Sequence, residues 1–274
     1  MNNKLTVVLL SYYSSKRLEH VFNKLNTSLN NNDIPYELII VDDGSKDDSY
    51  SVALELEKNN KNVFAYQLSK NQTSNYAIFA GLSVSTGDCV TAIPDDDQQP
   101  LNTLVEMYKL WSHGHKVIIP NRESRGDGFL NDVFSNSYYS FMNKFSDVTF
   151  PKGGADLFFI DREIVDIINK SIHPKNTAIV PEILRLGFDP YFFPYVRPKS
   201  KHKSRWTFKK KFKLFLDTFI SSSAFPIKFI TLLGVFFSFV SFMLIIFYIY
   251  LTFFGNQEFW GITVPGWTSV ILFI

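Results

Sequence analysis

The run from Phe229 to Phe254 sets the strongest limit on what this chain can become. It holds 26 residues without one charge, dominated by Phe, Leu, Ile and Val. As a helix that run exceeds the roughly 20 residues needed to cross the hydrocarbon core of a bilayer. A buried soluble helix of this length would show a polar face, and here only Ser and Thr break the apolar surface. A transmembrane helix near the C-terminus is therefore expected. Its position excludes a signal peptide, and the N-terminus lacks the pattern of one. A second apolar stretch runs from Ile262 to Ile274, thirteen residues and too short to span, so the natural protein is expected to continue into a second span.

Charge gives the orientation. The net charge of +2 hides a sharp asymmetry: residues 1–196 carry 18 basic and 24 acidic side chains, whereas residues 197–213 carry nine basic and no acidic ones. Such a local stripe is not the surface of a nucleic-acid-binding protein. Lys209, Lys210, Lys211, Lys213 and Lys228 precede the span, while Gly255 to Gly261 contains no Lys or Arg. The positive-inside rule then places residues 1–228 in the cytoplasm, at a plasma or bacterial inner membrane. Phe208, Phe212, Phe215, Leu216 and Phe219 recur at helical spacing among the lysines. This reads as an amphipathic helix lying among anionic headgroups, or else as a surface helix packed on the domain. Three regions follow: a domain at 1–206, an interfacial helix and linker at 207–227, and an anchor at 228–274 with its full span at 229–254. The lone cysteine, Cys89, excludes a disulfide scaffold and a Cys-rich zinc site, and fits a reducing compartment.

The N-terminal part alternates short apolar runs with helical stretches. Leu5–Leu10, Glu37–Val41, Val63–Leu68, Cys89–Ile93 and Lys116–Pro120 read as strands. A polar stretch to about Asn31, then Asp47–Asn59, Ser74–Ser85 and Leu101–Trp111, read as helices. This alternation predicts an α/β domain with a parallel, doubly wound, Rossmann-like sheet. Ligands bind such sheets outside the carboxyl ends of the strands.

Two acidic segments sit at those ends. Asp42-Asp43-Gly44-Ser45 follows the second strand; a turn and a helix cap explain half of it, but not two adjacent carboxylates. Asp95-Asp96-Asp97-Gln98-Gln99-Pro100 follows the fourth. Three consecutive carboxylates repel one another, and hard oxygen ligands on a short loop suit Mg²⁺ or Mn²⁺ bridging to substrate phosphates; an acidic helix start is the plainer alternative. No glycine-rich phosphate loop follows any strand. Phosphates are then left to metal and to cations, with Arg122, Arg125, Arg197, Lys199, Lys201, Lys203 and Arg205 as candidates. His113 and His115 flank Gly114 at a helix end, where a cation meets the negative end of the dipole, and no histidine metal site is expected.

VVLLSYYSS at 7–15, VDDGSKD at 41–47, TGDCVTAIPDDDQQP at 86–100, NRESRGDG at 121–128, GGADLFFIDRE at 153–163 and HKSRWTFKKKFK at 202–213 together resemble the family 2 glycosyltransferases. Within that family the chain is similar to the membrane-anchored polyprenyl-phosphate glycosyltransferases of the dolichyl-phosphate mannose synthase type, over essentially its whole length. The resemblance implies an A-type glycosyltransferase fold, a UDP- or GDP-sugar donor, a divalent metal and an undecaprenyl or dolichyl phosphate acceptor. By it, Tyr13, Val41 and Asp43 contact the nucleotide, and Asp95, Asp97 and Gln99 surround the metal; Asp96, placed beside the donor, stands where relatives usually have a small residue and adds charge to the metal site. Arg122 faces the donor and acceptor phosphates, Lys199 and Arg205 close over the diphosphate, and Ser135 holds the lipid phosphate. The chain departs from the pattern in several places. Ser11 replaces a proline, Ser14 and Ser15 replace Asn-Glu, and His202 replaces a glycine. Asn131 stands where relatives often have an arginine, for which Arg125 is the substitute.

The expected reaction is inverting, in-line attack of the lipid phosphate on the anomeric carbon. A phosphate monoester is largely ionised near neutral pH, with a second pKa of about 6, so it needs no general base. The protein aligns the reactants and neutralises the leaving diphosphate. Asp156 is open between a general base, a residue orienting the sugar or Arg122, and a structural cap. Two rivals stand beside this reading. His-Lys-Ser-Arg-Trp at 202–206 is close to the Gln-x-x-Arg-Trp of processive polysaccharide synthases, and a non-catalytic nucleotide-binding membrane protein is the other. Membrane lipids are expected partners, nucleic acid is not, and homo-oligomerisation is open.

Overall fold

The computed structural model describes residues 3–96, 100–122, 139–146, 148–151, 155, 157–175, 178–195, 216, 219–220, 223–254, 258–259 and 262–263. The chain divides into two compact units, 1–222 and 223–274.

The first unit is a seven-stranded sheet with helices on both faces. Its strands are β1 (Leu5–Ser11), β2 (Tyr36–Asp42), β3 (Val63–Gln67), β4 (Cys89–Pro94), β5 (Val117–Arg122), β6 (Phe159–Asp161) and β7 (Pro190–Tyr195), in the order β3-β2-β1-β4-β6-β5-β7. The helices are α1 (Leu18–Asn30), α2 (Ser49–Asn59), α3 (Ser74–Val84), α4 (Leu101–Ser112), α5 (Arg162–Ser171) and α6 (Ile179–Arg185). The buried faces follow from helical spacing. Leu18, Val21, Phe22, Leu25 and Leu29 form one stripe on α1, and Ile164, Val165 and Ile168 another on α5. Asp161 caps α5 by accepting the Glu163 N–H at 3.0 Å, and also accepts the Trp111 indole N–H at 2.8 Å, tying α4 to the foot of β6.

Alternation along the strands sorts two cores. Leu5, Val7 and Leu9 of β1 join Leu38 and Ile40 of β2 beneath α1, α2 and α4. Val8, Ile39 and Val41 face the opposite way, onto α3, α5 and α6. Helix α3 lies so close to the sheet that a Cβ on Gly81 would stand 2.3 Å from a Val8 methyl, which explains a glycine in mid-helix.

Every boundary expected through β5 lies within about two residues of the observed one. The sheet is mixed, however, and not parallel throughout: β6 runs antiparallel to β4 and β5, pairing Cys89 with Asp161 and Ile118 with Phe159. A strand that must deliver the chain directly into α5 at the amino-terminal end of its neighbours has to run opposite to them.

The second unit contains α7, Phe225–Phe254, and a two-residue pairing of Glu258–Phe259 with Ile262–Thr263. Among the described residues, one helix is long and apolar enough to cross a membrane, and none of its most apolar window is buried in the protein. Most of the expected amphipathic helix (residues 207–215) and the rest of the expected second span (264–274) lie outside the described residues.

Candidate active site

The order β3-β2-β1-β4 creates the site. From β1 the chain steps outward to β2 and β3, then returns across β1 to β4, so the strand order reverses between β1 and β4. A crevice at the carboxyl ends forms at such a reversal. Parallel register brings Ser11 level with Asp42 and Leu10 level with Pro94, so the segments after β1, β2 and β4 start side by side.

The loop after β1 is the hub. Tyr13 adopts a left-handed φ of 49°, donates its N–H to Ser45 Oγ at 2.9 Å, and leaves its ring 42% exposed with Tyr12 edge-on at 4.7 Å. Ser14 donates its N–H to Ser49 Oγ at 2.7 Å and its hydroxyl to Asp95. Arg17, at the N-terminal boundary of α1, places Nη2 2.6 Å from Asp95 Oδ2. Ser15 donates to Asp47, whose other oxygen accepts both the hydroxyl and the N–H of Ser49. Burial works to raise the Asp47 pKa, but the hydrogen bonds from Ser49 and Ser15 outweigh it and hold the carboxyl below its ordinary value.

The two carboxylates after β2 have separate roles. Asp42 is fully buried and accepts from the Ser45 hydroxyl at 2.5 Å, the Ser45 N–H at 2.9 Å and the Gln67 amide at 3.0 Å, which shapes the turn. Gly44 closes that turn with φ +66°; a Cβ there would meet the Lys70 carbonyl carbon at 2.5 Å. Asp43 reaches across to the loop before α3. It accepts the Gln72 N–H at 2.7 Å, the Thr73 N–H at 3.0 Å and the Asn71 amide at 3.0 Å. No side chain caps α3, so Asp43 satisfies donors just ahead of that helix, where the dipole favours an anion. Thr73 holds an unusual φ of 96° at this junction. Burial raises the Asp43 pKa; the two N–H bonds counter this, and the neighbouring Asp42 charge adds to it.

The structure thus brings Tyr13, Asp43, Asp95 and Asp96 to one end of the sheet, and leads Arg122 to the end of β5, where its backbone is level with Tyr195. Val41 is not in this group: its side chain is fully buried among core residues below α3. Asp97, Gln99, Arg125, Ser135, Asp156, Lys199 and Arg205 lie outside the described residues. Sequence reasoning missed Arg17, Ser14, Ser45 and the 71–73 loop. Hydroxyls at strand ends were a usable signal for the serines. Nothing local marked Arg17, whose partner is 78 residues away.

The donor chemistry here fits a divalent cation in part. Asp95 and Asp96 offer hard oxygens, but Asp95 already has its charge balanced by Arg17, and no cluster of three or more His, Cys, Asp or Glu that could hold a metal forms among the described residues. The Arg17 Nε is buried without a hydrogen-bond partner among those residues, an unmet donor beside the acidic loop.

Residues 6–168 match the family described as Glycosyl transferase family 2. This chain belongs to that family. A similar relative is the uncharacterized glycosyltransferase sll0501 of Synechocystis, 27% identical over 277 residues, covering all of this chain and 85% of that protein. The bactoprenol glucosyl transferase of Shigella phage SfX is 28% identical over 214 residues, or 76% of this chain and 70% of its own length. Among solved structures, a mannosyltransferase from Pyrobaculum calidifontis in complex with GDP-Man and Mn²⁺ superposes with a TM-score of 0.51 at 16% identity, over 75% of this chain and 59% of that one. The family member described here is a glycosyltransferase with the A-type fold, and the crevice between β1 and β4 is its candidate active site.

Proposed function

We propose that this glycosyltransferase transfers a sugar from a UDP- or GDP-sugar to a polyprenyl phosphate at the cytoplasmic face of a membrane, with inversion. One observation carries the reading: a single chain joins a carboxylate-lined crevice at the strand-order reversal to a 30-residue apolar helix. The phage relative, named for transfer to bactoprenol, supports a polyprenyl carrier, and the Mn²⁺ and GDP-Man of the solved neighbour support a nucleotide donor and a divalent cation.

In this reading the nucleotide lies over Tyr13, with Asp43 fixing the wall against which base and ribose rest, and buried Val41 supports the end of β2 from the core behind it. Asp95, Asp97 and Gln99 hold Mg²⁺ or Mn²⁺, with Asp96 next to the donor. When bound, the cation neutralises charge on the diphosphate. Arg122, Lys199 and Arg205 bind and orient the phosphates, while Arg125 and Ser135 hold the lipid phosphate. An oxygen of that phosphate bonds to the anomeric carbon as the bond to the nucleoside diphosphate breaks. No proton need be moved, because the nucleophile is already an anion. Asp156 then serves to orient the sugar or Arg122, and a base is required only for a hydroxyl acceptor.

The deciding experiment incubates the solubilised chain with undecaprenyl phosphate, Mg²⁺ or Mn²⁺ and a panel of UDP- and GDP-sugars. Release of nucleoside diphosphate that requires the lipid, and is lost in Asp97→Asn, is the expected result. Lipid-independent polymer formation would replace this reading with that of a polysaccharide synthase.

A further inference from the structure

Asp95 opens the acidic loop after β4, yet its Oδ2 is taken by the chain's own cation. Arg17 Nη2 lies 2.6 Å from that oxygen, and the Ser14 hydroxyl donates to the same atom. Arg17 Nη2 also stands 3.3 Å from Ser14 Oγ, so guanidinium, hydroxyl and carboxylate form one cluster. The backbone aims the arginine. The Ser14 carbonyl accepts the N–H groups of Arg17 at 2.8 Å and Leu18 at 3.0 Å, and the Arg17 carbonyl accepts the Val21 N–H at 3.0 Å as α1 begins. Only 31% of the Arg17 side chain and 14% of the Asp95 side chain are exposed, so solvent and salt screen this pair less than one on the open surface.

A comparison with Arg162 shows what is unusual here. Arg162 joins segments of the fold and uses its fork fully, donating Nε to the Gly87 carbonyl at 2.7 Å and Nη2 to the Ser85 hydroxyl at 3.1 Å. Arg17 leaves Nε buried with no hydrogen-bond partner among the described residues. A buried donor left unpaired is costly, so Arg17 is not placed where its own hydrogen bonding is best met. It is placed where its charge meets Asp95. We infer that Arg17 is a positioning residue that holds Asp95 in place of a divalent cation, so that the empty site takes the cation weakly until the guanidinium yields. The competition is for one oxygen: a cation taking Oδ2 displaces at least one of its two donors, and a guanidinium left beside it repels it. This inference rests on the proposed role of Asp95 as a cation ligand and on no other residue of the acidic loop.

The test measures Mn²⁺ binding to the solubilised full chain by electron paramagnetic resonance, without donor sugar or lipid, so turnover plays no part. Arg17→Met keeps an apolar stem and removes the charge. It should bind Mn²⁺ about tenfold tighter than wild type, the scale of one charge-assisted hydrogen bond. Arg17→Gln removes the charge but can still donate to Asp95; it serves, with the same sign expected, should Arg17→Met fold poorly. Lys16→Met removes an equal charge from the exposed neighbouring residue and should shift the affinity by less than about twofold, because solvent screens it. In an Asp95→Asn background, adding Arg17→Met should change nothing. Unchanged or weaker binding in the Arg17 variants overturns the inference and makes Arg17 a support for the loop. Tightening that Lys16→Met reproduces, or that survives Asp95→Asn, overturns it too, since the effect would not run through Asp95. Mn²⁺ binding with no response to Arg17 removes this inference alone, whereas no Mn²⁺ binding in wild type or variants removes the proposed cation as well.

Discussion

The two ends of the sheet handle buried carboxylates in opposite ways. At the amino-terminal end, Glu37 is 4% exposed and accepts from the Thr6 hydroxyl, the Thr86 hydroxyl and N–H, the Gly87 N–H and Lys4, whose Nζ lies 2.9 Å away. Burial alone would raise its pKa, but these donors overcome burial and lower it to about 2. At the carboxyl end Asp42 and Asp43 are adjacent, Asp43 is raised, and Asp95 depends on Arg17 for compensation. The first cluster binds three segments of the fold together and leaves nothing over for a ligand. In the second, burial works against the ionised form of Asp43, and Arg17 faces Asp95.

The largest effect should come from the carboxyl end. Asp97→Asn is expected to lower turnover by about 10²–10³-fold with little change in melting temperature, since charge stabilisation at a leaving group is worth that much; a steady-state assay beside thermal unfolding decides it. Glu37→Gln should do the reverse. It removes charge-assisted hydrogen bonds worth about 2 kcal/mol of stability, lowering the melting temperature while nucleotide affinity stays at the wild-type value.

Acid sharpens the contrast. A carboxyl whose folded pKa is about 2, against an ordinary 4.5, contributes its full stability above 4.5 and loses it as pH falls toward 2. The stability gap between wild type and Glu37→Gln should therefore close across that window in urea titrations; a gap that stays constant to pH 2 would place the effect in packing instead. The smallest expected change in stability belongs to Asp43→Asn. Because burial raises this carboxyl, its ionisation opposes folding, and that cost grows as pH rises through its folded pKa. Removing the charge relieves Asp42 but forfeits the bond from the Gln72 N–H. The two nearly cancel, leaving stability within about 1 kcal/mol of wild type, while nucleotide affinity measured calorimetrically falls at least tenfold. A loss of stability equal to that of Glu37→Gln would erase the distinction between the two ends.

Much of this architecture was legible in the sequence because its signals are local. Five apolar runs fixed five strands, and carboxylates directly after two of them located the crevice. Strands β6 and β7 were not legible: the first has three residues, and the second, PYFFPY, carries two prolines that read against a strand and are tolerated because β7 lies at the sheet edge. The partners of Asp43 and Asp95 escaped for another reason. Gln72 and Thr73 come from a loop without a motif, and Arg17 from an ordinary polar stretch, each joined to its carboxylate only by the folded sheet.

The reversed strand has one more consequence. Strand β5 leaves the sheet at Arg122, and β6 re-enters at Phe159, level with Thr91 in mid-β4, before running to the opposite end. The 36 residues between them depart from the carboxyl side and return to it, as a hairpin loop does. Closure entropy grows slowly with loop length, about 0.6 kcal/mol per doubling. Evolution can therefore lengthen, shorten or exchange this insert as a cassette. On the proposed reading, in which Arg125 and Ser135 of this insert hold the lipid phosphate, grafting 123–158 from a relative should change which acceptor is used and leave the preferred nucleotide as it was.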